Sequence, residues 1–202
     1  MRRPSAALFL VIPLLVAGLA IAGPFEEATK AFIRGDYKTA YRLFKPLAEQ
    51  GNDDAQTNLG VMYEKGKGIP RDYAVAAKWY RKAAEQGNAS AQFNLGLMFS
   101  KGQGVPQDNA GAAKWFRKAA EQGDADAQLL IGNMYLTGKG VPPDFVLAHM
   151  WLNLATLRYP ESDTGGREEA EKNRDFAASK MTPSQIAEAQ RLAREWKPKN
   201  ER

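Results

Sequence analysis

No cysteine occurs among the 202 residues, which excludes disulfides, a lipid-anchored cysteine, thiolate metal sites and a cysteine nucleophile. Histidine occurs once, at His149. A lone imidazole would need carboxylates around it to hold zinc, and no spacing in the chain offers them. A packed or hydrogen-bonded structural histidine is the better reading. No serine lies in a nucleophile-elbow motif, and no lysine follows a phosphate-binding loop of the usual length. Neither a cofactor nor a metal site is expected. A strong charge excess is missing as well. The net charge is +5, and loss of Arg2 and Arg3 with an N-terminal signal would take 28 basic residues to 26 against 23 acidic ones, or +3. A balance that small argues against nucleic acid as a partner.

Long apolar runs are absent beyond the opening "MRRPSAALFLVIPLLVAGLAIAG". There, two arginines precede an apolar run from Ala6 to about Ala22, and Ala20-Ile21-Ala22 fits a small-x-small cleavage site before Gly23. That order is the one of a secretory signal peptide, so residues 1–22 are expected to be removed. The product would be periplasmic or secreted, with no integral membrane association. The run is short for a membrane span, and Pro13 interrupts it.

What the chain does have is a repeat. Gly51, Gly87 and Gly123 follow "AEQ" at a spacing of 36 residues. At the same spacing "AQTNLGVMY" returns as "AQFNLGLMF" and "AQLLIGNMY", "GKGIP" as "GQGVP" and "GKGVP", and Trp79 as Trp115 and Trp151. A period of this length marks a solenoid. Within a unit, Ala55, Leu59, Met62 and Tyr63 make one face of a helix A, and Tyr73, Ala76, Ala77, Tyr80, Ala83 and Ala84 one face of a helix B from about Asp72 to Gln86. Gly51, Gly87 and Gly123 suit the left-handed position after a helix C-terminus. Gly60, Gly96 and Gly132 lie inside helix A, where glycine costs roughly 1 kcal/mol against alanine. Their recurrence implies that a neighbouring helix comes close.

These motifs, with "AAKWYRKAAEQG", resemble the Sel-one-like repeat (SLR) family, a branch of the tetratricopeptide superfamily, from about Asn52 to Leu157. The resemblance implies an all-α fold, an α/α superhelical solenoid of helix pairs whose concave side, lined mainly by helix A, holds partner proteins. Relatives with paired cysteines in each repeat have been linked to β-lactam binding or hydrolysis. This chain departs from them at every cysteine, so that link is not carried over.

The expected organisation follows: a signal at 1–22, a degenerate first pair at 23–51, units at 52–87, 88–123 and 124–158, and capping helices at 159–202. The Arg34-Gly35-Asp36 triplet reads as the turn of the first pair rather than an integrin ligand. In the third unit Met150 and Leu154 replace the lysines of earlier B helices, so that helix needs a cover. The tail supplies it with "REEAEKNRDFAASKM" and a last helix opened by Thr182-Pro183-Ser184-Gln185 and ending near Trp196. The ending "MTPSQIAEAQRLAREWKPK" is similar to that of many exported bacterial members of the family.

If helix A lines the concave side, as the resemblance implies, Thr57, Phe93 and Leu129 form one inward row and Val61, Leu97 and Asn133 the next. Phe93, Leu97 and Leu129 would expose an apolar strip flanked by Asn58, Asn94 and Asn133, suited to a protein or peptide partner whose main chain the amides fix. The alternative is that Phe93 and Leu129 pack against each other between adjacent A helices. Lys78, Arg81 and Lys82, with Lys114, Arg117 and Lys118, read as a solvated outer face. A wall- or carbohydrate-processing enzyme would instead need paired inward carboxylates, for which Asp54, Glu64 and Asp126 are the candidates. A purely structural role in the envelope is the third reading.

Overall fold

The computed structural model describes residues 16–199, with side chains from Gly23 onward. The expected signal at 1–22 therefore lies outside the described residues except for the backbone of 16–22. Ten helices and no strand occur among the described residues: α1 (Val16–Ile33), α2 (Tyr37–Glu49), α3 (Asp53–Lys65), α4 (Tyr73–Glu85), α5 (Ala89–Lys101), α6 (Asn109–Ala120), α7 (Ala125–Thr137), α8 (Phe145–Arg158), α9 (Thr164–Ala178) and α10 (Pro183–Glu195). None is long and apolar enough to cross a membrane. Helices α3, α5 and α7 are the A helices of the three units, and α4, α6 and α8 their B helices. Each helix packs on the one before and the one after as far as α9, which gives the expected solenoid.

Caps recur with the period. Asn52, Asn88 and Asp124 accept hydrogen bonds from the backbone of Ala55, Ala91 and Ala127, and so start the A helices. Asp72, Asp108 and Asp144 do the same for the B helices through Val75, Ala110 and Leu147. Each cap satisfies a backbone N–H that the helix itself leaves open. The A helices end at Gly66, Gly102 and Gly138, all left-handed, with φ of 67°, 67° and 71°. The connecting turn is then pinned by Asp72, Asp108 and Asp144, whose N–H groups donate to Tyr63, Phe99 and Tyr135 carbonyls. Turn geometry thus accounts for the first glycine of each "GxG".

The second glycine is explained by the preceding unit. A Cβ at Gly68 would stand 2.6 Å from Tyr37 Cβ, and one at Gly104 or Gly140 would collide with the carbonyl of Tyr73 or Asn109. These are the first residues of α2, α4 and α6, so each turn abuts the start of the B helix one unit back. The glycines inside the A helices mark a different approach, within the unit. A Cβ at Gly60 would lie 2.5 Å from the Tyr80 ring, at Gly96 2.7 Å from Phe116, and at Gly132 2.7 Å from Leu152.

Units are joined by buried amides. Gln56, Gln92 and Gln128 are buried and donate to the carbonyls of Ala48, Ala84 and Ala120, near the end of the preceding B helix, at 3.0, 3.1 and 3.1 Å. Gln86 then donates to Gln56 Oε1, and Gln122 to Gln92 Oε1, both at 2.8 Å. At the equivalent place in the third unit stands Arg158, and Gln128 Oε1 has no partner among the described residues.

Both ends depart from the middle as expected. At the start, α1 and α2 form a pair closed by Phe25, Phe32 and Phe44, with the Phe25 and Phe44 rings 5.7 Å apart. Pro46 lies in the last turn of α2 without ending it. At the other end, α9 and α10 both pack on α8. Thr182 and Gln185 form a reciprocal capping box at the start of α10. Trp196 meets Trp151 at 6.3 Å and 72°. In earlier units the same tryptophan position carries a lysine instead, with Lys82 over Trp79 and Lys118 over Trp115 at 4.5 Å.

Two glycine substitutions separate these approaches. Gly96→Ala gains about 1 kcal/mol of helix propensity but crowds a ring that can shift slightly, so a net loss of about 1 kcal/mol is expected. Gly104→Ala meets immovable backbone at φ 71° and is expected to cost about 3 kcal/mol. Urea unfolding at 25 °C measures both, and equal losses would contradict the distinction.

Candidate functional site

The A-helix face is not uniform along the solenoid. Asn58, Val61, Phe93, Asn94 and Leu97 are half-buried. Phe93 leans on Phe116 of its own B helix, with centroids 5.9 Å apart and planes at 49°. Leu97 and Val61 rest on the neighbouring core and keep one side in water. The row beside them is more enclosed than the pattern implies. Thr57 is buried, and its hydroxyl donates to the Asp53 carbonyl at 2.8 Å. Leu129 is only 7% exposed and belongs to the core cluster that runs from α6 to α10. The expected three-membered apolar strip is therefore corrected to Phe93 and Leu97, with Val61 beside them.

The asparagines differ in the same way. Asn58 donates to the Asp54 carbonyl at 2.9 Å. Asn133 is taken up by α9: it donates to Glu169 at 3.2 Å and accepts from Asn173 at 2.9 Å. Asn94 alone of the three makes no side-chain hydrogen bond among the described residues. Accordingly, the face is open over α3 and α5 and closed at α7 by the protein's own tail.

The candidate carboxylates are occupied. Asp54 accepts from Asn88 at 2.9 Å, which also bonds Asp53 at 3.0 Å. Glu64 accepts the Tyr80 hydroxyl at 2.7 Å and pairs with Lys65. Asp126 accepts the Tyr159 hydroxyl at 2.7 Å. Burial, then the facing carboxylate, pushes the Tyr80 and Tyr159 hydroxyls far up in pKa, so both remain donors. Tyr63 is pushed up to about 12, first by its hydrogen bond with Tyr41 and then by burial.

The basic residues of the B helices are exposed, as expected, but not idle. Arg81 lies over Phe99 at 5.7 Å and Arg117 over Tyr135 at 5.5 Å, each reaching the A helix of the next unit. Arg117 also donates to the Tyr135 hydroxyl. The sequence pattern missed these cross-unit contacts, together with the glutamine bonds. Their only sign was strict recurrence at 36 residues.

His149 is 5% exposed, and its Nδ1 has no hydrogen-bond partner among the described residues. It occupies the place of Ala77 and Ala113 on a buried face, so it is packed but only partly satisfied. Burial chiefly, and Arg174 to a lesser degree, lower its pKa below the usual 6.5, while Asp175 acts in the opposite sense.

A family model described as Sel1 repeat matches residues 30–52, 53–88, 89–124 and 125–158. Among solved structures, c5321, described as a protective antigen present in uropathogenic Escherichia coli strains displaying an SLR fold, is 32% identical with a TM-score of 0.73. That match covers 90% of this chain and 38% of the other, so this chain spans well under half of that protein. A Sel1 repeat protein from Oxalobacter formigenes is 31% identical with a TM-score of 0.66, covering 84% of this chain and 74% of the other. No curated protein matches the chain.

The lowered His149 pKa has a definite sign for stability. Below pH 6.5 the unfolded chain takes up a proton that the folded chain still refuses, so stability falls as the pH drops from 6.5 toward the folded value and levels off beneath it. Above about pH 7 this group contributes no slope. His149→Ala, the residue of the other units, is expected to remove that part of the loss. Urea unfolding of parent and variant between pH 4 and 8 measures it, and identical pH profiles would refute the assignment.

Proposed function

Because the chain belongs to the Sel1 repeat family, whose members are commonly protein-interaction scaffolds and generally non-catalytic, we propose that it is an adaptor of the bacterial cell envelope. It holds an extended protein or peptide segment across the A-helix face of α3 and α5. The observation that carries this reading is the unpaired Asn94 amide between half-buried Phe93 and Leu97. An amide offers one donor pair and one acceptor, which match a peptide unit, and the flanking side chains offer apolar contact. Val61 and Asn58 extend the surface toward the N-terminus, whereas Leu129 and Asn133 bound it.

A carbohydrate-processing activity is less well supported, since Asp54, Glu64 and Asp126 are each engaged in bonds within the fold. The envelope address rests on the basic and apolar order of residues 1–22. Likeness to a protective antigen supports it.

A photoreactive residue placed at Asn94, beside a control at Lys82, tests the surface in bacterial cells. Crosslinks to one protein at 94, lost on Leu97→Glu, are expected; capture at 82 alone, or silence at both, would argue for another surface or for a purely structural role. Export is tested by cell fractionation with N-terminal sequencing of the product. The expected mature terminus is Gly23, and a cytoplasmic protein beginning at Met1 would refute it.

A further inference from the structure

Where the first two units carry Glu85-Gln86 and Glu121-Gln122, the third carries Leu157-Arg158. The exchange removes a carboxylate, adds a guanidinium and leaves a leucine in water, since Leu157 is 74% exposed. Packing does not require it: Leu157 belongs to no core cluster. Hydrogen bonding does not require it either, because Gln128 Oε1 loses the partner that Gln86 and Gln122 supply elsewhere. Arg158 lies instead over the Trp196 ring at 4.8 Å.

Around these residues is a cleft of about 790 Å³, with Leu157 and Trp196 as its apolar surface over the buried Leu154, and Gly123, Arg158, Lys197 and Pro198 beside them. That volume lies in the range of ligand sites, roughly 300–1,000 Å³. Neither Arg158 nor Lys197 pairs with a carboxylate among the described residues. The wall is fastened in place, because the Lys199 N–H donates to the Glu121 carbonyl at 2.9 Å and its ammonium pairs with the Glu121 carboxylate.

We propose that this cleft is a second docking site, which takes from a partner protein a short segment with an apolar side chain next to a carboxylate. The apolar group covers Leu157 against Trp196. The carboxylate sits between Arg158 and Lys197, where the guanidinium can donate two parallel bonds. The site lies on α8, away from Asn94, and stands whether or not the A-helix face binds a partner.

The probe is an end-blocked hexapeptide of alternating leucine and aspartate, with its leucine–asparagine counterpart as control, titrated into the ¹⁵N-labelled protein. The aspartate peptide is expected to shift the Trp196 indole N–H saturably at or below millimolar concentration, leaving those of Trp79 and Trp115 in place. The asparagine peptide, and the protein carrying Leu157→Glu with Arg158→Gln, should bind at least tenfold more weakly. That double variant restores the residues of the other units and can supply a partner to Gln128, so its urea midpoint should match the parent; Asn94→Ala should bind as the parent does. The proposal is overturned by no saturable shift at Trp196, by equal affinity for the two peptides, or by unchanged binding in the double variant. A Trp196 shift that follows protein concentration without peptide would assign the cleft to a second copy of the chain and overturn it equally.

Discussion

A buried side-chain amide sets the register of this molecule. Gln56, Gln92 and Gln128 each leave their own A helix to bind a carbonyl near the end of the preceding B helix. Each of those carbonyls also accepts the N–H of Gly51, Gly87 or Gly123 in the turn that follows. The amide takes the second lone pair of a carbonyl that its own helix end already uses, and so fixes how one unit sits on the last. An unpaired buried amide costs about 1–3 kcal/mol, so sliding or tilting a unit is penalised even where the apolar contacts would tolerate it. The glycine turns that abut the start of an earlier B helix add steric agreement to the same register.

Much of this architecture was legible in the sequence because the same physical demand is met at every turn of the solenoid. Gly60, Gly96 and Gly132 signalled a close approach without naming its partner, and the partners proved to be Tyr80, Phe116 and Leu152 of the same unit. The left-handed glycines after the B helices, Gly51, Gly87 and Gly123, were legible for the same reason. The glutamines were not, since their acceptors are backbone carbonyls eight residues back, and backbone carries no residue-specific sign. The A-helix face was legible only in part. Extrapolating it from α5 to α7 placed the capping helices over α8 alone, whereas α9 also packs on α7 and brings Glu169 and Asn173 onto Asn133.

The third unit shows what happens when a repeat must also be an end. Its B helix exchanges Lys for Met150 and Leu154, and the cover that this requires comes from α9 and α10. Contacts are replaced in kind. Where a lysine ammonium lies over Trp79 or Trp115, the indole of Trp196 lies against Trp151. Where a glutamine completes the amide chain, Arg158 stacks on Trp196, and the chain ends with one acceptor open. The terminus is thus both sealed against water over most of α8 and chemically unlike the units before it.

The abutment of each turn against the unit behind it also governs how such a protein can change in size. Every internal joint shares one steric contact, since Gly68, Gly104 and Gly140 all meet the first residue of a B helix one unit back. A further 36-residue copy inserted between α4 and α5 would find matching surfaces on both sides and would move the ends apart without altering either. No such freedom exists beyond α8, whose surface is made for α9 and α10 and not for another copy. Added length is therefore accommodated between units, where a copied unit meets a joint it fits, and not on the far side of α8.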